Sequence, residues 1–325
     1  MDRDRIHFLL LNIGHFMDHL FTLVFATVAA LALTREWGLS YADLLPYATP
    51  GFFAFGLFSL PAGWLADKWN REGMMAIFFV GIGFSSIATG FAATPLQVGI
   101  GLFAVGIFAA IYHPVGLAIV TARWKNTGMR IAVNGVFGNF GVACAALLTG
   151  FMIDHGGWRS AFIVPGVVSI GIGIAYAALR WQEVSAPRAI VRAAVTNTAT
   201  ASADYKALML RLSVIVFLTT AISSIIFQST TFALPKIFAE RLGGIAAILA
   251  GSADKGQVAT MVGGFAFVVF TIASLAQLVV GSQLDKHGPR AVFMVVASIQ
   301  VVFILRCRFA ACRNSSRWPR RNRAH

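Results

Sequence analysis

Charged residues are scarce in this sequence. Asp, Glu, Lys and Arg together supply only 12% of the 325 residues, whereas a soluble domain averages about 25%. Hydrophobic residues reach 58%, and they stand in continuous runs rather than in the alternating pattern of transmembrane strands. The composition therefore excludes an ordinary soluble domain and predicts an all-α membrane protein, because each helical crossing needs about 20 apolar residues.

Signals for disulfides, secretion and nucleotide binding are missing as well. The three cysteines, Cys144, Cys307 and Cys312, are too few for a disulfide framework. The segment "MDRDR" leads directly into a long apolar run, so we expect no cleaved signal peptide. No glycine loop resembles a phosphate cradle, and no nucleophile–base set stands out. We therefore expect neither ATP-driven transport nor enzymatic catalysis, and no cofactor.

The apolar runs predict eight complete membrane spans and the start of a ninth. Spans 1 to 9 lie at 6–33, 44–66, 74–93, 96–122, 131–153, 158–179, 209–234, 258–284 and from about 291. A polar, basic stretch separates spans 6 and 7. The predicted domains are a six-helix bundle at 1–179, a cytoplasmic central loop at 180–208, an incomplete second bundle at 209–305 and a basic tail at 306–325.

The positive charges lie unevenly about these spans. If the N-terminus is cytoplasmic, 14 of the Lys and Arg residues before the tail fall inside and five fall outside. This is the direction that the positive-inside rule requires. We therefore attribute the net charge of +13 to membrane topology and not to nucleic-acid binding, which we do not expect. The predicted location is a cell inner (plasma) membrane, and the lipid bilayer is the predicted partner.

Two similar loops follow spans 2 and 8. They read "GWLADKWNREGMM" and "GSQLDKHGPRAVF", and the pairs Gly63/Gly281, Asp67/Asp285 and Lys68/Lys286 share one offset in the numbering. Asn70 aligns with Gly288, and both residue types tolerate the left-handed backbone of a tight turn. A common offset is expected of two six-span halves joined by a basic loop.

These loops resemble the signature G-x-x-x-D-[RK]-x-G-x-[RK] of the major facilitator superfamily, and the resemblance extends over residues 1 to about 305. The first copy departs from it, with Asn70 for Gly and Glu72 for the second cation. The resemblance implies a monomeric secondary transporter of a small organic solute, coupled to protons. We interpret the loops as conformational latches in which the acid pairs with cations and backbone N–H groups; the alternative is that the acid only caps a turn. The latch residues are Gly63, Asp67, Lys68, Arg71, Gly281, Asp285, Lys286 and Arg290.

Three shorter segments are similar to the fosmidomycin-resistance type of drug exporter. They are "GHFMDHLF" in span 1, "IYHPVGLAIV" in span 4 and "NGVFGNFGVACAALLTG" in span 5. This likeness favours efflux over uptake. The Gly-Pro pair of drug antiporters is absent from span 5, however, and span 4 lacks the buried arginine of many proton-coupled members.

One acid lies in the middle of a span. A charge at the bilayer centre costs about 2.5 kcal/mol or more, so Asp18 needs partners, water or a bound proton. His15 in span 1 and His113 in span 4 each lie about 13 Å from the inner face, and Asp18 lies about 18 Å from it. In the resembling fold, spans 1 and 4 both line the central cavity. The resemblance therefore implies that Asp18, His15 and His113 converge on one aqueous proton-coupling site, with His19 a turn further outward.

Two alternatives stay open for this cluster. The polar groups can serve only as hydrogen bonds between helices. A metal site at His15 and His19 lacks ligands of other types nearby beyond Asp18, so no metal is predicted. Tyr112, Asn134 and Asn139 are candidate contacts in the substrate cavity, because they are polar groups on otherwise apolar faces.

The C-terminal region departs from the resembling family. The ninth apolar run, "AVFMVVASIQVVFIL", reaches only about 22 Å as a helix, short of a full crossing. The segment after it, 306–325, holds seven arginines and no acid, and spans 10 to 12 are missing. We expect a truncated or frame-shifted reading frame, which the downstream coding DNA would test; the alternative is a basic tail that binds anionic lipid. A non-transporting fragment or membrane scaffold is the corresponding alternative for function.

Overall fold

The fold comes from a computed structural model that describes residues 3–124, 127–185, 203–249 and 258–315. Within these ranges the chain is helical apart from short turns, and no strand occurs. The predicted all-α membrane protein is therefore confirmed. The main helices are Arg3–Val28, Thr49–Lys68, Arg71–Gly90, Pro95–Ala109, Tyr112–Arg123, Thr127–Leu179, Trp181–Ser185, Ala203–Leu249 and Val258–Ser315.

Short helical pieces extend the first two spans. A π-helical turn at Ala29–Leu33 and the segment Thr34–Glu36 continue span 1 outward. The helix Tyr41–Leu44 and the 3-10 turn Leu45–Ala48 lead into span 2. Ser40 is the N-cap of the helix Tyr41–Leu44 and forms a capping box. Its hydroxyl accepts from Asp43 N–H, and the Asp43 carboxylate accepts from Ser40 N–H.

Glycines divide the two longest apolar helices into pairs of spans. Gly157 (φ +73°) separates spans 5 and 6 within Thr127–Leu179, and Gly288 (φ +75°) separates spans 8 and 9. A residue without Cβ adopts this left-handed backbone at little cost. In the described residues, seven helical segments are long and apolar enough to cross a membrane, and one of them, Met129–Leu179, contains both spans 5 and 6. The shorter apolar helix Arg290–Phe303 corresponds to the short ninth run.

Span 4 is interrupted beside a proline. The helix breaks at Ala110 and Ile111 between Pro95–Ala109 and Tyr112–Arg123. Pro114 has no N–H to donate to the carbonyl four residues earlier, which is that of Ala110. The break therefore lies beside His113, and it places Tyr112 and His113 in the first turn of a new helix.

The structure divides into two compact units, Met1–Thr271 and Ile272–His325. The predicted division at the central loop, 180–208, is not tested by this and stays a prediction; residues 186–202 lie outside the described ranges. Within the second unit, Lys286 and Arg290 are exposed. The side-chain environments of Gly281 and Asp285, and the tail beyond residue 315, lie outside the described residues.

Span 1 is the central helix of the first unit. Its side chains enter two buried apolar clusters, one containing Leu11 and Phe21 and the other containing Leu20, Val24 and Phe25. Span 2 instead presents large apolar side chains outward, for example Leu60 at 81% exposure. Because a lipid-facing surface is apolar while a central helix is enclosed, this arrangement fits a membrane bundle built around span 1.

The two aligned loop residues differ in backbone conformation. Gly288 has the left-handed backbone that both residue types tolerate, whereas the backbone of Asn70 is extended at φ −163°. Its side-chain oxygen instead accepts from the N–H groups of Glu72 and Gly73 at 2.9 and 3.0 Å. The residue caps the helix Arg71–Gly90, which an Asn at this position does well.

Candidate functional site

The structure brings Asp18 and His113 together across spans 1 and 4. Oδ2 of Asp18 lies 3.4 Å from Nε2 of His113, and the Asp18 side chain is 1% exposed while that of His113 is 38% exposed. Oδ1 of Asp18 is buried and has no hydrogen-bond partner among the described residues. One oxygen of this acid has a protein partner and the other has none among the described residues, so the second oxygen can hold a proton.

Two further imidazoles, those of His15 and His19, lie beside this pair. The ring centroid of His15 lies 5.0 Å from that of His19 and 5.1 Å from that of His113, and the His19–His113 distance is 5.6 Å. The predicted convergence of residues from spans 1 and 4 is thus present in the geometry. His19 is part of the same cluster, whereas the sequence placed it a turn outward.

The three rings are near enough to be considered for a metal. One ring nitrogen from each lies within 4.8 Å of the others. Nitrogens that share a zinc ion at about 2.0–2.1 Å would lie only about 3.4 Å apart, so the rings would have to move closer. The expectation of no metal therefore stays a prediction.

His15 is fixed by its surroundings. Its Nδ1 lies 2.7 Å from the carbonyl oxygen of Asn134 in span 5, and since a carbonyl only accepts, Nδ1 carries the hydrogen. Tyr112 stacks on the ring at 4.9 Å and 19°. Nε2 is then the acceptor nitrogen, and it has no partner within the described part of the chain.

Glycines in span 5 make room for this ring. A Cβ at Gly138 would lie 2.6 Å from Nε2 of His15, and one at Gly141 would collide with the carbonyl of Phe16. A methyl group at either place therefore cannot be accommodated without a shift. The glycine content of span 5 thus sets how closely it approaches span 1.

The predicted substrate contacts Tyr112 and Asn134 lie in a polar network beneath the cluster. The Tyr112 hydroxyl donates to the carbonyl of Leu11 at 2.7 Å and accepts from Nδ2 of Asn134 at 2.8 Å. The same amide nitrogen donates to Oδ1 of Asn12 at 2.9 Å. Tyr112 and Asn134 are fully buried and join spans 1, 4 and 5, while Asn139 is half-buried further along span 5.

Asn12 is a site residue that the sequence analysis missed. It is 2% exposed and completes the network through Asn134. A signal was present, because Asn12 interrupts an apolar run three residues before His15 and therefore shares its helix face.

A cavity lies one turn from Asp18. The space between its walls, with its open mouth included, is about 330 Å³. Phe21 and Thr22, three and four residues after Asp18, line it, and so does Phe55, whose ring centroid is 6.0 Å from that of His113. The remaining lining comes from spans 2, 4 and 7: Ala48, Gly51, Phe52, Leu102, Val105, Gly106 and Phe232, with Phe25 from span 1.

A second polar cluster lies at the N-terminal end of span 1. His7 is fully buried, with Nε2 3.1 Å from Oε2 of Glu72 and 3.0 Å from the Tyr176 hydroxyl. Tyr176 also donates to Glu72, and Nη2 of Arg180 lies 3.6 Å from Oε1 of Glu72. The sequence analysis predicted no role for His7 and counted Arg180 only among the cytoplasmic cations. In the structure these two residues and Glu72 connect spans 1, 3 and 6.

The first latch loop is joined to span 4. Arg71 donates to Oδ1 of Asp67 at 2.7 Å and to the carbonyl of Ala118 at 3.4 Å. A Cβ at Gly63 would lie 3.3 Å from Cβ of Pro114, and Nζ of Lys68 lies over the Trp64 ring at 4.6 Å. Arg71 therefore connects the loop acid to the helix that carries His113.

Known proteins resemble this chain in sequence. The family model of the Major Facilitator Superfamily matches residues 11–306. The chain is 26% identical over 145 residues to a gallate transporter of Pseudomonas putida, which covers 44% of this chain and 32% of that protein. It is 28% identical over 161 residues to a probable hexose phosphate transport protein of Chlamydia pneumoniae, covering 49% and 35%. The matched stretch thus spans about a third of the length of these curated relatives.

A solved structure shares the fold. The crystal structure of peptide transporter POT in complex with sulfate matches with a TM-score of 0.52 and 16% identity, over 89% of this chain and 74% of that chain. At this level of identity the likeness concerns the helical architecture alone.

Proposed function

Because this chain belongs to the Major Facilitator Superfamily, we propose that it works as a secondary active transporter of a small organic solute. The names of its relatives support this, since they include transport proteins for an aromatic acid and a sugar phosphate. Family and relatives both indicate a transporter rather than an enzyme. The cavity beside Asp18 is concave and mostly apolar, as small-molecule sites are.

Protons are the proposed coupling ion, and Asp18 with His113 is the proposed carrier. The observation that carries the proposal is the position of this pair, one helical turn from the cavity and in contact with it through Phe55. A proton that enters the pair changes the charge facing the cavity. Solute binding and proton binding would then influence one another through a single turn of span 1. His15 and His19 complete the proposed proton site.

Movement would follow the alternating-access scheme, in which one bundle rocks against the other. The ion pair of Asp67 with Arg71, and the bond from Arg71 to span 4, support the proposed role of the first loop as a latch. The loop at Gly281–Arg290 is proposed to act as a second latch, because its sequence repeats the signature of the first loop. Breaking such a pair changes which state of the bundle is favoured.

The membrane arrangement is part of the proposal. We place the N-terminus in the cytoplasm of a cell whose inner (plasma) membrane holds the protein as a monomer. Cations accumulate at the N-terminal end of span 1, where Arg123 pairs with Asp4 at 2.7 Å, and this agrees with the positive-inside rule. Efflux is preferred over uptake, on the exporter-like segments of spans 1, 4 and 5.

A flux assay tests the proposal. The purified chain is placed in pyranine-loaded liposomes, and proton movement is followed after addition of gallate or a hexose phosphate. We expect solute-dependent proton flux that Asp18→Asn abolishes and Glu240→Gln preserves, because Glu240 is an exposed acid paired along its own helix with Lys236. Flux that survives Asp18→Asn would refute the proton site. If neither these anions nor an uncharged aromatic solute moves under any gradient, the alternative of a non-transporting fragment or scaffold is favoured.

A further inference from the structure

The cavity beside the proton site has an unusual lining. Five of its side chains are phenylalanines, and in the described part of the chain no lining residue is charged. They are Phe21, Phe25, Phe52, Phe55 and Phe232. Thr22 supplies the polar side chain of the lining, and its hydroxyl already donates to the carbonyl of His19 at 3.0 Å. What remains for a ligand is aromatic surface and one hydroxyl oxygen that accepts a hydrogen bond.

The aromatic rings are arranged around Phe232 of span 7. Its ring centroid lies 5.5 Å from that of Phe52 at 74° and 6.2 Å from that of Phe25 at 37°. Tyr41 holds this part of span 7, since its hydroxyl donates to the carbonyl of Phe232 at 2.7 Å. Rings at these angles offer both faces and edges, which are the surfaces that another aromatic ring contacts favourably.

A charged solute would have no partner in this lining. An ionised carboxylate removed from water needs a cation or several donors, and its burial without them is strongly unfavourable. His113, which contacts the lining edge-on through Phe55, already has its Nε2 3.4 Å from Asp18. An anion here would also approach the buried carboxyl of Asp18, which would repel it when ionised.

We propose that this cavity binds an uncharged aromatic molecule of a single ring, with a hydrogen-bond donor directed to Thr22. The inference deepens the proposed transport function and rests on it for its biological role. The figure of about 330 Å³ includes open space beyond the walls. The room enclosed by the five phenylalanine rings is therefore much smaller, and it limits the ligand to a single ring.

Three probes of matched size test the proposal by equilibrium binding. The full chain in nanodiscs is titrated at pH 7 with p-cresol, benzoate and 4-methylcyclohexanol, and uptake by empty nanodiscs is subtracted. We expect p-cresol to bind, with benzoate at least about tenfold weaker because its charge is unpaired, and 4-methylcyclohexanol about two- to tenfold weaker because it has no π-system. No binding of p-cresol, or equal binding of benzoate, would overturn the proposal.

Neighbouring phenylalanines of span 2 supply a matched pair of variants. Phe52 lines the cavity, whereas Phe53 is 63% exposed on the outer face. Phe52→Leu should weaken p-cresol binding about two- to tenfold, while Phe53→Leu should leave it unchanged. Equal effects of the two changes would show binding at the lipid-facing surface and contradict the proposal. Thr22→Val provides a second variant, expected to reduce the preference for p-cresol over toluene.

Failure of this proposal is distinguishable from failure of the transport function, because the binding experiment needs no gradient. If the chain binds p-cresol but transports neither it nor other solutes, the aromatic site is supported and the proposed transport function is refuted. If the chain couples protons to gallate or hexose phosphate but does not bind p-cresol, transport is supported and the proposal of an uncharged aromatic ligand is refuted.

Discussion

Replacing Gly138 by alanine would place a methyl group against the ring of His15. The added Cβ would lie 2.6 Å from Nε2 and 2.7 Å from Cε1 of that ring, closer than atoms in contact normally come. The ring cannot slide aside freely, because Tyr112 stacks on it and the Asn134 carbonyl holds Nδ1 at 2.7 Å. Either that hydrogen bond breaks or span 5 moves away from span 1.

The expected loss of stability combines two effects. Overpacking in a tight interior costs about 1–3 kcal/mol, and a lost hydrogen bond adds about 1 kcal/mol. Gly135 is the matched control, since a Cβ there meets nothing within 4 Å. Alanine is the better helix former by about 1 kcal/mol, but this gain is common to both positions and cancels in the comparison. We therefore expect Gly138→Ala to be about 2–4 kcal/mol less stable than Gly135→Ala.

Reversible unfolding in mixed micelles would measure the two free energies of unfolding. A double variant tests the cause, because His15→Ala removes the ring with which the new methyl group collides. In that background the cost of Gly138→Ala should fall by at least half, as double-mutant cycles show for residues in contact. Equal stability of the two single variants, or an unchanged cost without the ring, would refute the account of how span 5 positions His15.

Two further predictions concern the polar networks, and the same unfolding measurement tests both. Tyr112→Phe removes a buried hydroxyl and leaves the amide of Asn134 with one partner fewer, so we expect a loss of about 1–3 kcal/mol; no loss would show that the hydroxyl is dispensable. Glu72→Gln removes the carboxylate that faces buried Arg180, and should cost about 1–3 kcal/mol, compared with about 0–1 kcal/mol for exposed Glu240→Gln. Similar losses for the two glutamates would contradict the assigned role of Glu72.

Features that depend on neighbouring residues in the chain were predictable. A span is an uninterrupted apolar run, so its existence follows from local composition, and the helices Arg3–Val28, Thr49–Lys68 and Arg71–Gly90 lie at spans 1 to 3 as expected. The break beside Pro114 and the left-handed Gly288 follow in the same way, because each is a property of one residue type. The family was recognisable because its signature loop occurs twice.

Features that depend on distant parts of the chain were only partly predictable. The approach of Asp18 to His113 was expected from their comparable depth together with the family resemblance. The partners of Glu72 were not, since His7 and Arg180 lie in other spans, far from it in the sequence. The one signal was chemical: an acid stands where the family has a cation, and the structure places buried Arg180 opposite it. The first loop thus carries Glu72 where the signature has a cation, and Arg180 at the end of span 6 supplies the opposite charge.

Phenylalanine content could not reveal the cavity. The sequence has 28 phenylalanines, and the adjacent Phe52 and Phe53 look alike in any hydropathy pattern, although one lines the cavity and the other faces outward. Helical spacing separates the two faces of span 2, but it does not say which face meets lipid. That information comes from the position of Phe232 in span 7, a segment much later in the chain.

Span 1 connects the polar site with the cavity, and this supports coupling through one helix. The lining residues Phe21 and Thr22 follow Asp18 by three and four positions, so all three lie on one face of the helix. A helical turn is stiff because each of its carbonyls is bonded four residues ahead, so a shift at one end is passed on rather than absorbed. The π-helical turn at Ala29–Leu33, further along the same helix, is a place where such a shift can be taken up, since inserted residues loosen the regular bonding there. A proton gained at Asp18 would therefore act directly on His113, 3.4 Å away, and on Thr22 through the shared turn of span 1.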